Sequence, residues 1–446
     1  MSRLPAVLQD STPLDGPRID LPARIGWLLR TSRIAHGVDL RAMAAGLSRR
    51  GTPISAASVS RLETSGLRDG SLIDGYEQLL GLEDGQLRGV VDVLCRTFDY
   101  APVDRGPEPA PLDLARFSNL VDAVCGASPS GGDWLRFARQ HVVPRGFGLP
   151  ISQMTPLVRR LASELGRSHG TAYVTRYEAL ALLRCSPYAD VVAAVVRERV
   201  MAPDAQEVLD LASVVSELPT PSLLTWAGEL LNHDSTSLVR AGEVMVQNMR
   251  SVGGLDPDDW WALEQPFLSA FERADADPDR RALLTQLFRT LPPALRTSLR
   301  PRLAGQLQAA PGPRDWTTTR RNVHHALAAR LAAASADTAG LGEEPMLTRL
   351  LFEALFDFRG PRISLACMLI RSSPYAAGVS VELLEVALCD SIEATIRESA
   401  RSRVPMLGVP AEHADPARWL ASSDPWQVRT GYLLAARQGH RLRTTS

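Results

Sequence analysis

The sequence predicts an all-α protein, and three observations carry that expectation. No stretch alternates apolar and polar residues long enough for a half-buried strand, and apolar residues recur at helical spacing almost throughout. The back three-quarters also repeats itself with a period near 40 residues.

Four segments follow in order. Residues 1–20 contain several prolines and no apolar periodicity, so a disordered arm is expected. Residues 21–98 read as short helices punctuated by Gly37, Gly46, Gly51, Gly66, Gly70 and Gly85. Residues 99–112 hold four prolines, which remove backbone donors and block helices, so they read as a linker. Residues 113–446 carry the repeat. Stretches 234–246, 277–288, 315–327 and 360–370 each open on turn residues, then an arginine, then an apolar stripe. Aligned on Arg240, Arg281, Arg321 and Arg362 they step by 41, 40 and 41 residues, and an apolar helix precedes each. Ser-Pro-Tyr-Ala recurs at 186–189 and 373–376. A helix pair cannot bury its stripe alone, so neighbours are expected to stack into an α-solenoid with one continuous core. The four arginines are expected to form a ladder along its concave side. Around Asp234, Val239 and Arg240 the pattern resembles HEAT repeats, a likeness spanning about residues 112–440.

Composition narrows the chemistry. The 49 basic residues are all arginine. Without lysine there is no Walker A loop, no Schiff-base enzyme and no Ser-x-x-Lys acylase. Net charge is −1 but uneven: nine arginines against Asp20, Asp39 and Glu63 give residues 18–68 a charge of +6, leaving −7 elsewhere. A basic module on an acidic body suggests an anionic partner for the module alone. Five scattered cysteines without C-x-x-C, and no apolar leader at the start, point to a cytoplasmic protein.

The basic module has a helix-turn-helix pattern. Ile25 and Leu29 mark the inner face of a first helix, Asp39 is suited to cap a second (LRAMAAGL), and Ser55 a third (AASVSRLET). The block ISAASVSRLETSG, with Ser58, Val59, Ser60, Arg61, Leu62, Glu63 and Gly66, resembles the third helix of the Cro/C1-type (XRE) helix-turn-helix family. LIDGYEQLLGL and QLRGVVDVLCRTF supply helices four and five. The resemblance implies a five-helix, lambda-repressor-like DNA-binding domain over residues 21–98. It also implies a buried ion pair between Arg33, late in the first helix, and Glu63, at the end of the third.

A helix entering the major groove needs small or hydrogen-bonding residues on one face, because bulk keeps it off the base edges. Ala56, Ala57, Ser58, Ser60 and Arg61 meet that need, with Ser55 at the helix start. Arg61 falls in a slot that often reads bases in the family, whereas Ala57 can only pack on a thymine methyl. The sequence departs from the family pattern in a longer turn, about Ser48–Thr52, and in Leu40 where a polar residue is usual. Arg41, Arg49 and Arg50 are expected to contact phosphates, which position a protein without reading sequence, and Thr52 is expected among the DNA-binding residues.

Other constellations are weaker. Adjacent His324 and His325 diverge by about 100° on a helix and cannot share a metal. GASPSGG at 126–132 lacks the second glycine of a nucleophile elbow. Trp260 and Trp261 read as core. No catalytic residue, metal or cofactor is expected. The expected function is a transcriptional regulator binding double-stranded DNA, as the homodimer that paired half-sites favour. Its array would serve dimerisation or bind a peptide, small-molecule or protein partner. The alternative is a recruiting scaffold tethered to DNA through its helix-turn-helix.

Overall fold

Helix α1 (Leu21–Ala35) starts where the Asp20 carboxylate accepts the Ala23 amide at 3.0 Å and Pro22 has no donor to satisfy. In this computed structural model the described residues are 8–437, apart from 15, 17, 66–69, 99–113, 143–147, 169, 204, 206–207, 308–317, 358, 410 and 414. The expected linker 99–112 and Gly66 lie outside them. Among the described residues the chain is all-helical. No helix among them is long and apolar enough to cross a membrane.

Four more helices complete the first group: α2 (Leu40–Arg49), α3 (Ala56–Ser65), α4 (Gly70–Leu80) and α5 (Gln86–Thr97). Asp39 caps α2 by accepting the Ala42 amide at 2.7 Å, which holds its carboxyl below the usual carboxylate range. Ser55 caps α3 through the Ser58 amide at 3.1 Å. The end of α2 lies two residues beyond the expected one. Ser48 and Arg49 are helical, and Gly51, at φ +90°, lets its own amide bond Ser48 while Thr52 bonds Leu47.

The array follows as two rows. One stacks α7 (Gly131–Val142), α9 (Gly170–Arg184), α11 (Val208–Ser216), α13 (Thr236–Val252) and α15 (Pro278–Thr290). In the other, α8 (Ile151–Gly166) packs on α10 (Ala189–Val200), and α12 (Pro221–Leu231) on α14 (Glu264–Arg273), which packs in turn on α16 (Pro293–Arg302). The preceding α6 (Leu114–Cys125) lies on α7. Next come α17 (Thr318–Ala339), α18 (Pro345–Phe356), α19 (Gly360–Ser372), α20 (Ala376–Leu388), α21 (Ala394–Leu407), α22 (Pro416–Leu420) and α23 (Pro425–Arg437).

The recurring Ser-Pro-Tyr-Ala does the same work twice. Ser186 bonds the Leu183 carbonyl at 2.6 Å and Ser373 that of Ile370 at 2.7 Å. The Tyr188 hydroxyl then donates back to Leu149 at 2.8 Å, and that of Tyr375 to Gly342 at 2.9 Å. Each copy breaks one helix and starts the next, α9 to α10 and α19 to α20.

Three expectations need correction. The row of α7 to α15 does not present an open concave face: α5 packs on α9, while α19 packs on α5, α9 and α13. The Arg371 guanidinium of α19 sits 4.9 Å over the Tyr173 ring of α9. The chain's own helices fill that side. Nor do the four arginines make a ladder. Arg240 and Arg321 are exposed, Arg281 pairs with Asp275, and Arg362 is buried.

Residues 8–14 are not a disordered arm. Leu8 and Leu14 are buried, and Asp10 pairs with Arg24 at 2.7 Å. Arg349 of α18, Arg359 just before α19 and Arg362 of α19 donate to the carbonyls of Thr12, Leu14, Gly16 and Arg18. The segment is held by side chains more than 300 residues away, which local composition does not register.

Candidate nucleic-acid interface

The site is built on the contact of α1 with α3. At Gly26 a Cβ would stand 2.3 Å from the Glu63 carbonyl oxygen, so only glycine permits the approach. That closeness brings Arg33 onto Glu63, as expected from the sequence, at 2.6 Å and 2.8 Å through two parallel bonds. The remaining Arg33 nitrogen donates to the Val38 carbonyl at 2.7 Å. Tyr76 of α4, which the sequence reading did not single out, donates its hydroxyl to the same carboxylate at 2.9 Å. Burial and the adjacent Glu63 charge push that phenol's pKa upward. Three helices are thereby fixed through one buried carboxylate.

With Val59, Leu62 and Glu63 of α3 turned inward, its opposite face is open. Ala57 and Arg61 are exposed, and Ala56, Ser58 and Ser60 are half-buried beside them. Thr64, one turn further on, is also exposed and was missed, although its spacing of three from Arg61 was readable. Arg61 donates to the Ser58 hydroxyl at 3.1 Å, which itself lies 3.0 Å from that of Ser55. A neutral hydroxyl is a weak holder of a guanidinium, so Arg61 is poised for a better acceptor.

Arg41 occupies the first turn of α2, Arg49 the last, and Arg50 the cap. All three are exposed, and among the described residues none is in an ion pair. Eight residues of helix place Arg41 and Arg49 about 12 Å apart along the axis. Thr52 is half-buried in the turn, which Ser48 pins by bonding the Ile54 amide at 3.2 Å. The charge of the module therefore divides in two. Arg24, Arg30 and Arg33 are spent on Asp10, Glu353, Glu344 and Glu63 inside the protein. Arg41, Arg49, Arg50 and Arg61 remain on the surface.

A second buried carboxylate was also missed. Glu77 of α4 accepts the amides of Gly85, Leu87 and Arg88 at 2.7–2.8 Å, capping α5 from outside because Gly85 has no side chain to do so. Burial nevertheless pushes its pKa up to about 7.

No family model, curated protein or solved structure matches this chain. Among the described residues no three His, Cys, Asp or Glu side chains cluster to hold a metal.

Proposed function

We propose that the chain is a sequence-specific DNA-binding transcriptional regulator. In this reading α1 to α5 act as a lambda-repressor-like domain of the Cro/C1 type, and the HEAT-like array serves dimerisation and effector or partner binding. The observation that supports it best is the outward face of α3. It is small-residued around one weakly held arginine, flanked by three surface arginines that form no ion pair among the described residues, and mounted on a buried three-helix clamp. Such a face suits a groove of about 12 Å width, with arginines left over for phosphates. A homodimer would set two such faces on half-sites one helical turn apart.

The reading separates two kinds of arginine. Arg61→Ala is expected to cost about 1–3 kcal/mol on a preferred duplex and to relax preference at one base position. Arg49→Ala is expected to weaken all sequences alike and to lower the salt slope by about 1. Fluorescence anisotropy on preferred and scrambled duplexes across a salt series measures both. Equal losses on both duplexes for Arg61→Ala would remove it from base reading.

A further inference from the structure

Where α5 ends, the structure holds a half-open cavity of about 270 Å³. Thr97 and Phe98 come from the end of α5, Glu217 from just after α11, Asn248 and Val252 from α13, and Arg362 from α19. It lies where the helix-turn-helix group meets both the stacked row and the returning helix.

Two of its polar groups lack the partners their burial calls for. Arg362 is only 4% exposed, yet it donates to carbonyls alone, those of Leu14 at 3.0 Å and of Arg18. The nearest carboxylate oxygen, on Glu353, is 3.9 Å away and already bonded by Arg24 and Arg349. Carbonyls satisfy hydrogen-bond geometry, but with Glu353 shared and 3.9 Å away the charge is only partly compensated, and burial draws the guanidinium pKa down to about 10. The Thr97 hydroxyl is the second group: it is buried with no hydrogen-bond partner among the described residues. The two other lining charges are already answered: Glu217 accepts from Arg96 and, at 2.7 Å, from Tyr177, and Arg359 pairs with Asp357 at 2.6 Å. The first turn of α19, which carries Arg362, has no side-chain cap, and helix starts favour anions. Phe98, Val252 and Pro361 offer apolar wall.

We propose that this cavity binds a small organic carboxylate, its anionic group on Arg362 and Thr97 and its apolar body against Phe98 and Val252. Its size suits a ligand smaller than a drug-like molecule, since those fill about 300–1,000 Å³. The role as effector rests on the regulator reading; the binding itself does not.

The test is isothermal titration calorimetry on the full chain without DNA, using phenylacetate, acetate, inorganic phosphate and the neutral 2-phenylethanol. Phenylacetate is expected to bind at least tenfold tighter than 2-phenylethanol, and more tightly than acetate or phosphate. Thr97→Val keeps volume and removes one donor, so it should weaken phenylacetate about fivefold, the worth of a typical hydrogen bond. Arg362→Met should abolish the preference for the anion. Thr97→Val leaves every bond to residues 8–20 in place, so it decides the question if Arg362→Met fails to fold. Absence of heat with millimolar phenylacetate, equal affinity for 2-phenylethanol, or unchanged binding by Thr97→Val would each overturn the proposal. Because no DNA is present, such a failure leaves DNA binding untouched, and a failure of DNA binding leaves this site untouched.

Discussion

Glu63 concentrates more structure than any other side chain of the first helical group. It joins α1, α3 and α4 through Arg33 and Tyr76 while only 3% exposed. Removing it strands a buried guanidinium, so Glu63→Ala is expected to cost about 3–5 kcal/mol, whereas Tyr76→Phe should cost about 1 kcal/mol. Thermal melts of the two variants check this, and similar losses would mean that the phenol rather than the ion pair holds the helices. His141 gives a pH signature. It is buried against the rings of Phe117, Phe137 and Tyr188, and burial lowers its pKa to about 4. The unfolded chain, at an ordinary 6.5, takes up this proton first on acidification. The neutral ring's contribution is therefore complete above pH 6.5 and is lost as pH falls toward 4, about 3 kcal/mol in all. Chemical denaturation at pH 7 and pH 4.5 should show a smaller loss for His141→Leu than for the native chain; equal losses would refute the assignment. At this scale the sequence was partly legible. The caps at Asp39 and Ser55 follow from the residues themselves and Arg33–Glu63 from the family resemblance, while Tyr76 and Glu77 act across helices and leave no local mark.

At the scale of elements, punctuation and periodicity located most of what forms. The helix pairs at 221–231 with 236–252 and at 345–356 with 360–372 fall within a few residues of expectation. The duplicated Ser-Pro-Tyr-Ala marks equivalent corners through equivalent hydrogen bonds. What composition misread is the described part of residues 8–20, which Arg24, Arg349, Arg359 and Arg362 hold in place. Removing residues 1–19 would leave Arg362 without its two carbonyls and Arg24 without Asp10, while Glu353 keeps its bonds to Arg24 and Arg349. The truncated chain is therefore expected to fold with a melting temperature several degrees lower. An unchanged melt would show that the segment adds no stability.

Across the whole molecule, the repeat period marked the packed helix pairs α12 with α13 and α18 with α19, but not the packing of α5 and α19 against the row of α7 to α15. Periodicity reports which face of a helix is apolar; it does not report which distant helix covers it. The outer side of α1 shows the consequence: Trp27 stacks on Tyr375 at 6.0 Å, and Arg24 forms parallel bonds to Glu353 at 2.8 Å and 2.7 Å. Residues 21–98 thus share their core with the array, so the proposed DNA binding is to be tested on the full chain. The decisive measurement is selection from a randomised duplex library by the full-length protein. Enrichment of a short motif, present as two half-sites about one helical turn apart and lost with Arg61→Ala at one position, is the expected result. A library that remains unenriched at low salt would contradict DNA recognition by α3.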